Sequence, residues 1–203
     1  MDRETEERKR IGGRHKKGIL REYLEAAIIA VFLALFIRTF VIQAYKIPSG
    51  SMEPTLLVGD HILVSKFIYG IKAPFINRTI VPISKPKRGD VIVFIYPKDK
   101  SKDYIKRVIG LPGDQIKIIG KDIFINGKLL DAQFGVYDKG SRRNNNLGPI
   151  IVPAHGLFVM GDNRDHSYDS RYWGFVPMEL VKGKAIIVYW SWPHWNRFGN
   201  LIR

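Results

Sequence analysis

A recurring dipeptide limits how this chain can fold. Gly-Asp occurs at 59–60, 89–90, 113–114 and 161–162, mostly where a turn ends and a strand-like segment begins. From residue 57 onward, short β-branched and aromatic stretches alternate with turn signals, which is the pattern of strands. The candidate strands are His61–Phe67, Asp90–Tyr96, Tyr104–Ile109, Gln115–Ile119, Asp122–Ile125 with Lys128–Leu130, Ile150–Val152, Gly156–Met160 and Lys184–Tyr189. Asn126-Gly127 between two apolar stretches signals a two-residue hairpin. No helical periodicity of useful length follows residue 42. The predicted fold class is mostly β, a coiled antiparallel β-sheet domain. Residues 133–149, including Arg142-Arg143-Asn144-Asn145-Asn146, read as an exposed loop.

The chain before this region has a different character. Residues 1–18 are charged and contain glycine, with no apolar face, and read as a mobile basic tail. Ala26 to Ile37 is a run of twelve residues without a polar side-chain atom. Extended through Tyr23-Leu24 and Phe40-Val41-Ile42 it reaches about 20 residues, enough for a bilayer core of about 30 Å. Arg38 near its end can snorkel to headgroups. A cleavable signal needs small residues one and three positions before the cut, and Ile42 before Ala44 fails that test. The expectation is therefore one uncleaved N-terminal transmembrane helix over 19–42. Residues 1–21 hold eight Lys/Arg against four acids, which places the N-terminus in the cytoplasm. Residues 43–203 would then form a β-rich domain on the outer face of the plasma membrane.

Composition narrows the partners. The 203 residues are 45% hydrophobic, contain no cysteine and carry a net charge of +14. Disulfides, thiol nucleophiles and cysteine-bound zinc are excluded. Residues 43–203 hold 24 Lys/Arg against 13 acids, a charge that suits anionic lipid or nucleic acid. No tight basic cluster with interleaved aromatics appears, so no nucleic-acid partner is expected. Apolar residues also crowd presumed loops: Phe67-Ile68-Tyr69, Ala73-Pro74-Phe75-Ile76, Ile80-Val81-Pro82-Ile83, and Trp190, Trp192, Trp195 and Phe198 near the end. They read either as core or as an edge of the sheet that enters lipid headgroups.

The chemistry centres on Pro48-Ser49-Gly50-Ser51-Met52-Glu53-Pro54-Thr55-Leu56. The prolines preset a non-helical backbone that can hold a serine hydroxyl outward, although serine and glycine between prolines also simply make a turn. No histidine among His15, His61, His155, His166 and His194 pairs with Ser51 by sequence. No metal-ligand spacing occurs, so neither a metal nor another cofactor is expected. The remaining way to activate a serine is a neutral lysine, which needs burial to lower its pKa from about 10.4. In Tyr104-Ile105-Lys106-Arg107-Val108-Ile109-Gly110, alternation puts Lys106 on the face of Tyr104 and Val108, with Arg107 on the other. By itself this is equally the pattern of a solvent-facing strand lysine.

Four blocks in order resemble the type I signal peptidases, or leader peptidases, which are membrane-bound Ser-Lys endopeptidases. They are the Pro48–Leu56 block, Gly59-Asp60-His61-Ile62-Leu63-Val64, Tyr104–Asp114, and Gly161-Asp162-Asn163-Arg164-Asp165-His166-Ser167-Tyr168-Asp169-Ser170-Arg171-Tyr172-Trp173-Gly174. His166 departs from the asparagine common at its position. The resemblance implies removal of signal peptides from secretory precursors with Ala-x-Ala-type cleavage sites. It implies Ser51 as nucleophile, Lys106 as general base, and an oxyanion hole of the Ser51 N–H and the Ser49 hydroxyl. It also implies Ser167 hydrogen-bonded at the lysine, Tyr104 packed beside it, and Asp169 with Arg171 as a supporting ion pair. The alternative from charge alone is a membrane-anchored basic module that binds without catalysis.

Overall fold

The computed structural model describes residues 3–72, 79–81, 83–131, 134–140 and 146–203. The expected apolar stretch at 73–76, Pro82 and the loop residues at 142–145 lie outside the described residues. The chain forms two compact units, Met1–Thr39 and Phe40–Arg203.

In the first unit α1 spans Arg3–Phe36 and is followed by one π turn, Ile37–Val41. The expected mobile tail is thus helical from Arg3, since its Glu, Arg and Lys residues lose little rotamer freedom in a helix. The stretch expected as an anchor is helical as far as Phe36. Ile19–Phe36 of α1 carries Arg21, Glu22 and Glu25. What remains, Ala26–Phe36, is a stretch of about 16 Å at 1.5 Å per residue, against a bilayer core of about 30 Å. Among the described residues no helix is long and apolar enough to cross a membrane. Residues 18–38 are exposed throughout.

The second unit is antiparallel β, as expected. Its strands are β1 (Ile42–Lys46), β2 (His61–Ser65), β3 (Ile71–Lys72), β4 (Thr79–Val81), β5 (Val91–Ile95), β6 (Asp103–Gly110), β7 (Gln115–Ile119), β8 (Asp122–Ile125), β9 (Lys128–Leu129), β10 (Leu147–Ile151), β11 (Gly156–Met160), β12 (Val176–Pro177) and β13 (Val181–Trp190). A seven-stranded sheet runs β1-β2-β13-β5-β6-β11-β12, a four-stranded sheet β10-β7-β8-β9, and β3 pairs with β4. β5 sits inside the large sheet and is buried along its whole length. Val91 and Val93 join one core with Ile62, Val64, Met52, Leu56 and Ile202. Ile92 and Phe94 join another with Val108, Leu157, Val159 and Trp173. Both faces of this sheet are therefore covered, and a side chain placed mid-strand on β6 is held away from water.

Three of the four Gly-Asp pairs are copies of one turn. Gly59, Gly89 and Gly113 all have φ near +90° (92°, 91° and 84°), where a Cβ is strained and glycine is not. Each following aspartate accepts the backbone N–H three residues back: Asp60 from Leu57 at 2.9 Å, Asp90 from Lys87 at 2.9 Å and Asp114 from Leu111 at 2.7 Å. Each carboxylate also meets a cation, respectively Arg197, Lys184 and Arg88. The hairpin at Asn126-Gly127 forms with φ of 52° and 78°, the positive pair that a two-residue turn requires.

The differences from the expected strands have local causes. β1 starts at Ile42, inside the stretch assigned to the anchor, and pairs with β2 in register Ile42↔Ser65 to Lys46↔His61. Its Gln43 and Lys46 suit an edge strand but hide it from an apolar pattern. β10 begins at Leu147, within the expected loop, and β2 ends at Ser65 rather than Phe67, which opens a 3₁₀ turn, Phe67–Tyr69. Gly113→Ala meets no atom within 4 Å, so its effect is conformational alone. It should lower stability by about 1 kcal/mol, read as a shifted urea midpoint with unchanged slope.

Candidate active site

Ser51 and Lys106 come from elements far apart in the chain. Ser51 is the second residue of a 3₁₀ turn, Gly50–Met52, entered from extended Ser49. The first N–H groups of such a turn have no partner within it, so the Ser51 N–H faces outward from the turn's own bonds. Met52 and Leu56, fully buried in the core with Ile62 and Val64, peg the loop down on either side. Lys106 lies on β6 opposite Ile92, two register steps from the Tyr104↔Phe94 pair and so on the same face. That is the face predicted from alternation.

The two side chains meet. Lys106 Nζ is 2.7 Å from Ser51 Oγ, with Lys106 only 5% and Ser51 9% exposed. Burial pushes the Lys106 ammonium down from 10.5 to about 8. Asp169 and Asp162 pull it back up, and Arg171 adds to the lowering. An ammonium there donates to Oγ, whereas a neutral amine accepts the hydroxyl proton. Near pH 8 both forms are populated, the condition for a general base. Tyr104 is at the lysine as expected, its ring centroid 5.7 Å from Nζ. The ring is itself fixed by stacking on Tyr96 at 4.4 Å.

The fourth Gly-Asp pair does something different from the other three. A Cβ on Gly161 would overlap Ser167 Oγ and the Ser51 carbonyl oxygen, so here glycine permits contact instead of a turn. Asp162 takes a bidentate pair from Arg107, 2.8 Å to Nε and 2.6 Å to Nη2, and accepts the Thr55 hydroxyl at 2.6 Å. Asn163 donates its backbone N–H to Ser51 O at 3.1 Å and its side-chain amide to Gly50 O, also at 3.1 Å. Residues 161–163 therefore grip the serine loop by its backbone. Asp169 and Arg171 pair at 2.8 Å in full burial. Asp169 caps α2 (Ser170–Trp173) and accepts the Gly161 N–H at 3.0 Å.

One expected contact is absent. Ser167 Oγ is buried without a hydrogen-bond partner, so it makes no bond to Lys106. The hydroxyl is turned against Gly161 and the Ser51 backbone. Ser49 is exposed and, with Ser51, Tyr104, Lys106, Asn163, His166 and Tyr168, lines a cavity of about 650 Å³. His166 borders this cavity but holds Asp138 at 2.8 Å. Among the described residues no group of acids and histidines could hold a metal. The resemblance gave Gly161-Asp162-Asn163 a part in holding that block's turn, but sequence reasoning missed Arg107 and Thr55 as parts of the site. Only the adjacency of Arg107 to Lys106 signalled the first of them.

The chain has relatives. The family described as signal peptidase, peptidase S26, matches residues 20–190. Signal peptidase I of Pseudomonas fluorescens is 41% identical over 214 residues, covering 88% of this chain and 75% of that one. The signal peptidase I of Pseudomonas aeruginosa is 39% identical with the same coverage. A crystal structure of a signal peptidase I from Enterococcus faecalis V583 is 34% identical and covers 50% of this chain and 97% of its own, with a TM-score of 0.44.

A depressed lysine pKa also affects stability. The unfolded chain holds this proton up to about 10.4, the folded chain only to about 8. Folding thus carries the full penalty below pH 8 and sheds it as pH rises toward 10.4. Lys106→Met removes the penalty but leaves Ser51 Oγ without its partner. At pH 7 the variant should be more stable than wild type by about 2 kcal/mol. Paired denaturant titrations should show the gap closing as pH approaches 10.

Proposed function

Because the chain belongs to the signal peptidase family, peptidase S26, we propose that it removes N-terminal signal peptides from secretory precursors with Ser51 and Lys106 as its catalytic pair. The chain is a peptidase by family; its residue roles are inferred from chemistry. The observation that carries them is the buried 2.7 Å contact between Nζ and Oγ.

In the proposed reaction neutral Lys106 takes the Ser51 proton as Oγ attacks the scissile carbonyl carbon. The oxyanion is met by the Ser51 N–H and the Ser49 hydroxyl, donors of a kind worth about 3 kcal/mol each. The Lys106 ammonium then protonates the leaving amine, the new N-terminus of the mature protein. The signal peptide stays esterified to Ser51 until Lys106 deprotonates a water that releases it. Tyr104 limits water around the amine, and Asn163 with Asp162 holds the serine loop. Asp169 with Arg171 holds Gly161 beneath that loop. Small pockets for the alanines of an Ala-x-Ala site complete the reading.

We also place the enzyme at a membrane. Ala26–Phe36 is exposed and apolar, and Trp190, Trp192, Trp195 and Phe198 form an exposed aromatic cluster with Trp195 touching both other tryptophans. Such rings favour headgroup depth, and the net charge of +14 favours anionic lipid. Brominated phospholipid in anionic vesicles should quench the fluorescence of these tryptophans in the full chain.

For the chemistry, Ser51→Ala and Lys106→Ala should each lower turnover of an Ala-x-Ala precursor in detergent by about a thousandfold or more. Wild-type kcat/KM should rise about tenfold per pH unit and level near pH 8. A Ser51→Ala variant that cleaves as wild type does would overturn Ser51 as the nucleophile, and a wild type that binds anionic vesicles but cleaves no precursor would favour the non-catalytic binding module.

A further inference from the structure

Among the described residues, the one acid of the cavity around Ser51 without an ion-pair partner is Glu53. Its ionisable lining includes Glu53, Asp103, Lys106 and His166. Asp103 is paired with Lys182 at 2.7 Å, His166 with Asp138 at 2.8 Å, and Lys106 lies against Ser51. Glu53 has no ion pair among the described residues. Its carboxylate is folded back over the serine turn, where a Cβ on Gly50 would sit 2.9 Å from Oε1. The absence of a side chain at Gly50 thus leaves an acid directly beside the nucleophile's own backbone.

Glu53 lines the same cavity as Ser51 and Lys106, so its carboxylate faces the space that a substrate of Ser51 enters. We propose that Glu53 is a specificity-determining residue, disfavouring acidic and favouring basic side chains next to the scissile bond of the precursor. The proposal rests on Ser51 being the nucleophile. It opposes the effect of the whole chain, whose net charge of +14 attracts acidic segments. The two effects differ in range. The net charge acts over distances that salt screens, with a Debye length of about 8 Å at physiological ionic strength. Glu53 acts at contact. Acidic residues remote from the cleavage point should speed association at low salt, whereas acidic residues beside it should slow cleavage at any salt.

The test is a precursor panel with Glu, Gln or Lys at the middle position of the Ala-x-Ala site or at either of the first two positions after the scissile bond. It is cleaved by wild type, Glu53→Gln and Glu53→Lys at about 0.15 M salt. The readout is the ratio of kcat/KM for the Lys form to that for the Glu form. A ratio taken within one enzyme does not depend on the fraction folded. At one position or more, wild type should prefer the Lys form about fivefold, the size expected of a partly exposed charge pair. Glu53→Gln should bring that ratio below about twofold, and Glu53→Lys should invert it. Equal ratios for wild type and Glu53→Gln at all positions would overturn the assignment, as would a wild type that does not discriminate. A wild type that cleaves no member of the panel would overturn the peptidase reading of Ser51, and this inference with it.

Discussion

The structure depends on keeping one amine out of water. An ammonium in bulk solvent holds its proton to about 10.4, and near neutral pH so small a fraction is neutral that it is useless as a base. Lys106 escapes this because β6 runs between β5 and β11 in a sheet covered on both faces. Its stem packs beside Tyr104, and among the described residues its nitrogen finds only Ser51 Oγ as a hydrogen-bond partner. Desolvation is the leading cause of its lowered pKa. A protein can supply that only by investing a large part of its core in one position. The seven strands and two cores around β5 and β6 are, in this sense, the apparatus that makes a proposed base.

Gly-Asp serves two ends in this framework. At 59–60, 89–90 and 113–114 the glycine takes a positive φ and the aspartate closes its turn onto a backbone N–H three residues back. These turns deliver β2, β5 and β7 into their sheets. At 161–162 the glycine has no such φ and is needed because the Ser51 carbonyl and Ser167 approach its Cα too closely for any Cβ. One dipeptide is thus a device for turning the chain and also a device for letting two loops touch. The sequence alone does not distinguish them, since the difference lies in what packs against the glycine.

The same line divides what was legible from what was not. Strands with β-branched alternation, such as Gln115–Ile119 and Gly156–Met160, were readable to the residue, and so was the Asn126-Gly127 hairpin. β1 was not, because an edge strand with Gln43 and Lys46 has no apolar pattern to betray it. The pairing of residues 51 and 106 was implied by the resemblance of four ordered blocks, since the strand pattern by itself also fitted a solvent-facing lysine. The missing bond from Ser167 could not be foreseen, as it depends on which way one hydroxyl turns. The stretch over 19–42 is divided in the structure: α1 ends at Phe36, a π turn covers Ile37–Val41 and β1 begins at Ile42.

The two acids that act on the charge of Lys106 pose a problem that their partners resolve. Asp162 and Asp169 both raise the pKa of Lys106, so unpaired they would keep it protonated and spoil it as a base. Both are needed for position: Asp162 accepts the Thr55 hydroxyl on the serine loop, and Asp169 accepts the Gly161 N–H beneath it. Each is tied to its own buried guanidinium, Arg107 at 2.6 Å and Arg171 at 2.8 Å. A carboxylate paired in low dielectric presents to a third charge little more than a dipole, whose field falls off faster than that of a bare charge. The arginines thus let two carboxylates organise the loop by hydrogen bonds while burial still decides the lysine's protonation. Removing either arginine would leave the hydrogen bonds in place but expose the amine to an uncompensated negative field. The ion pairs, though they touch no reacting atom, therefore belong to the same design as the dry strand that carries the base.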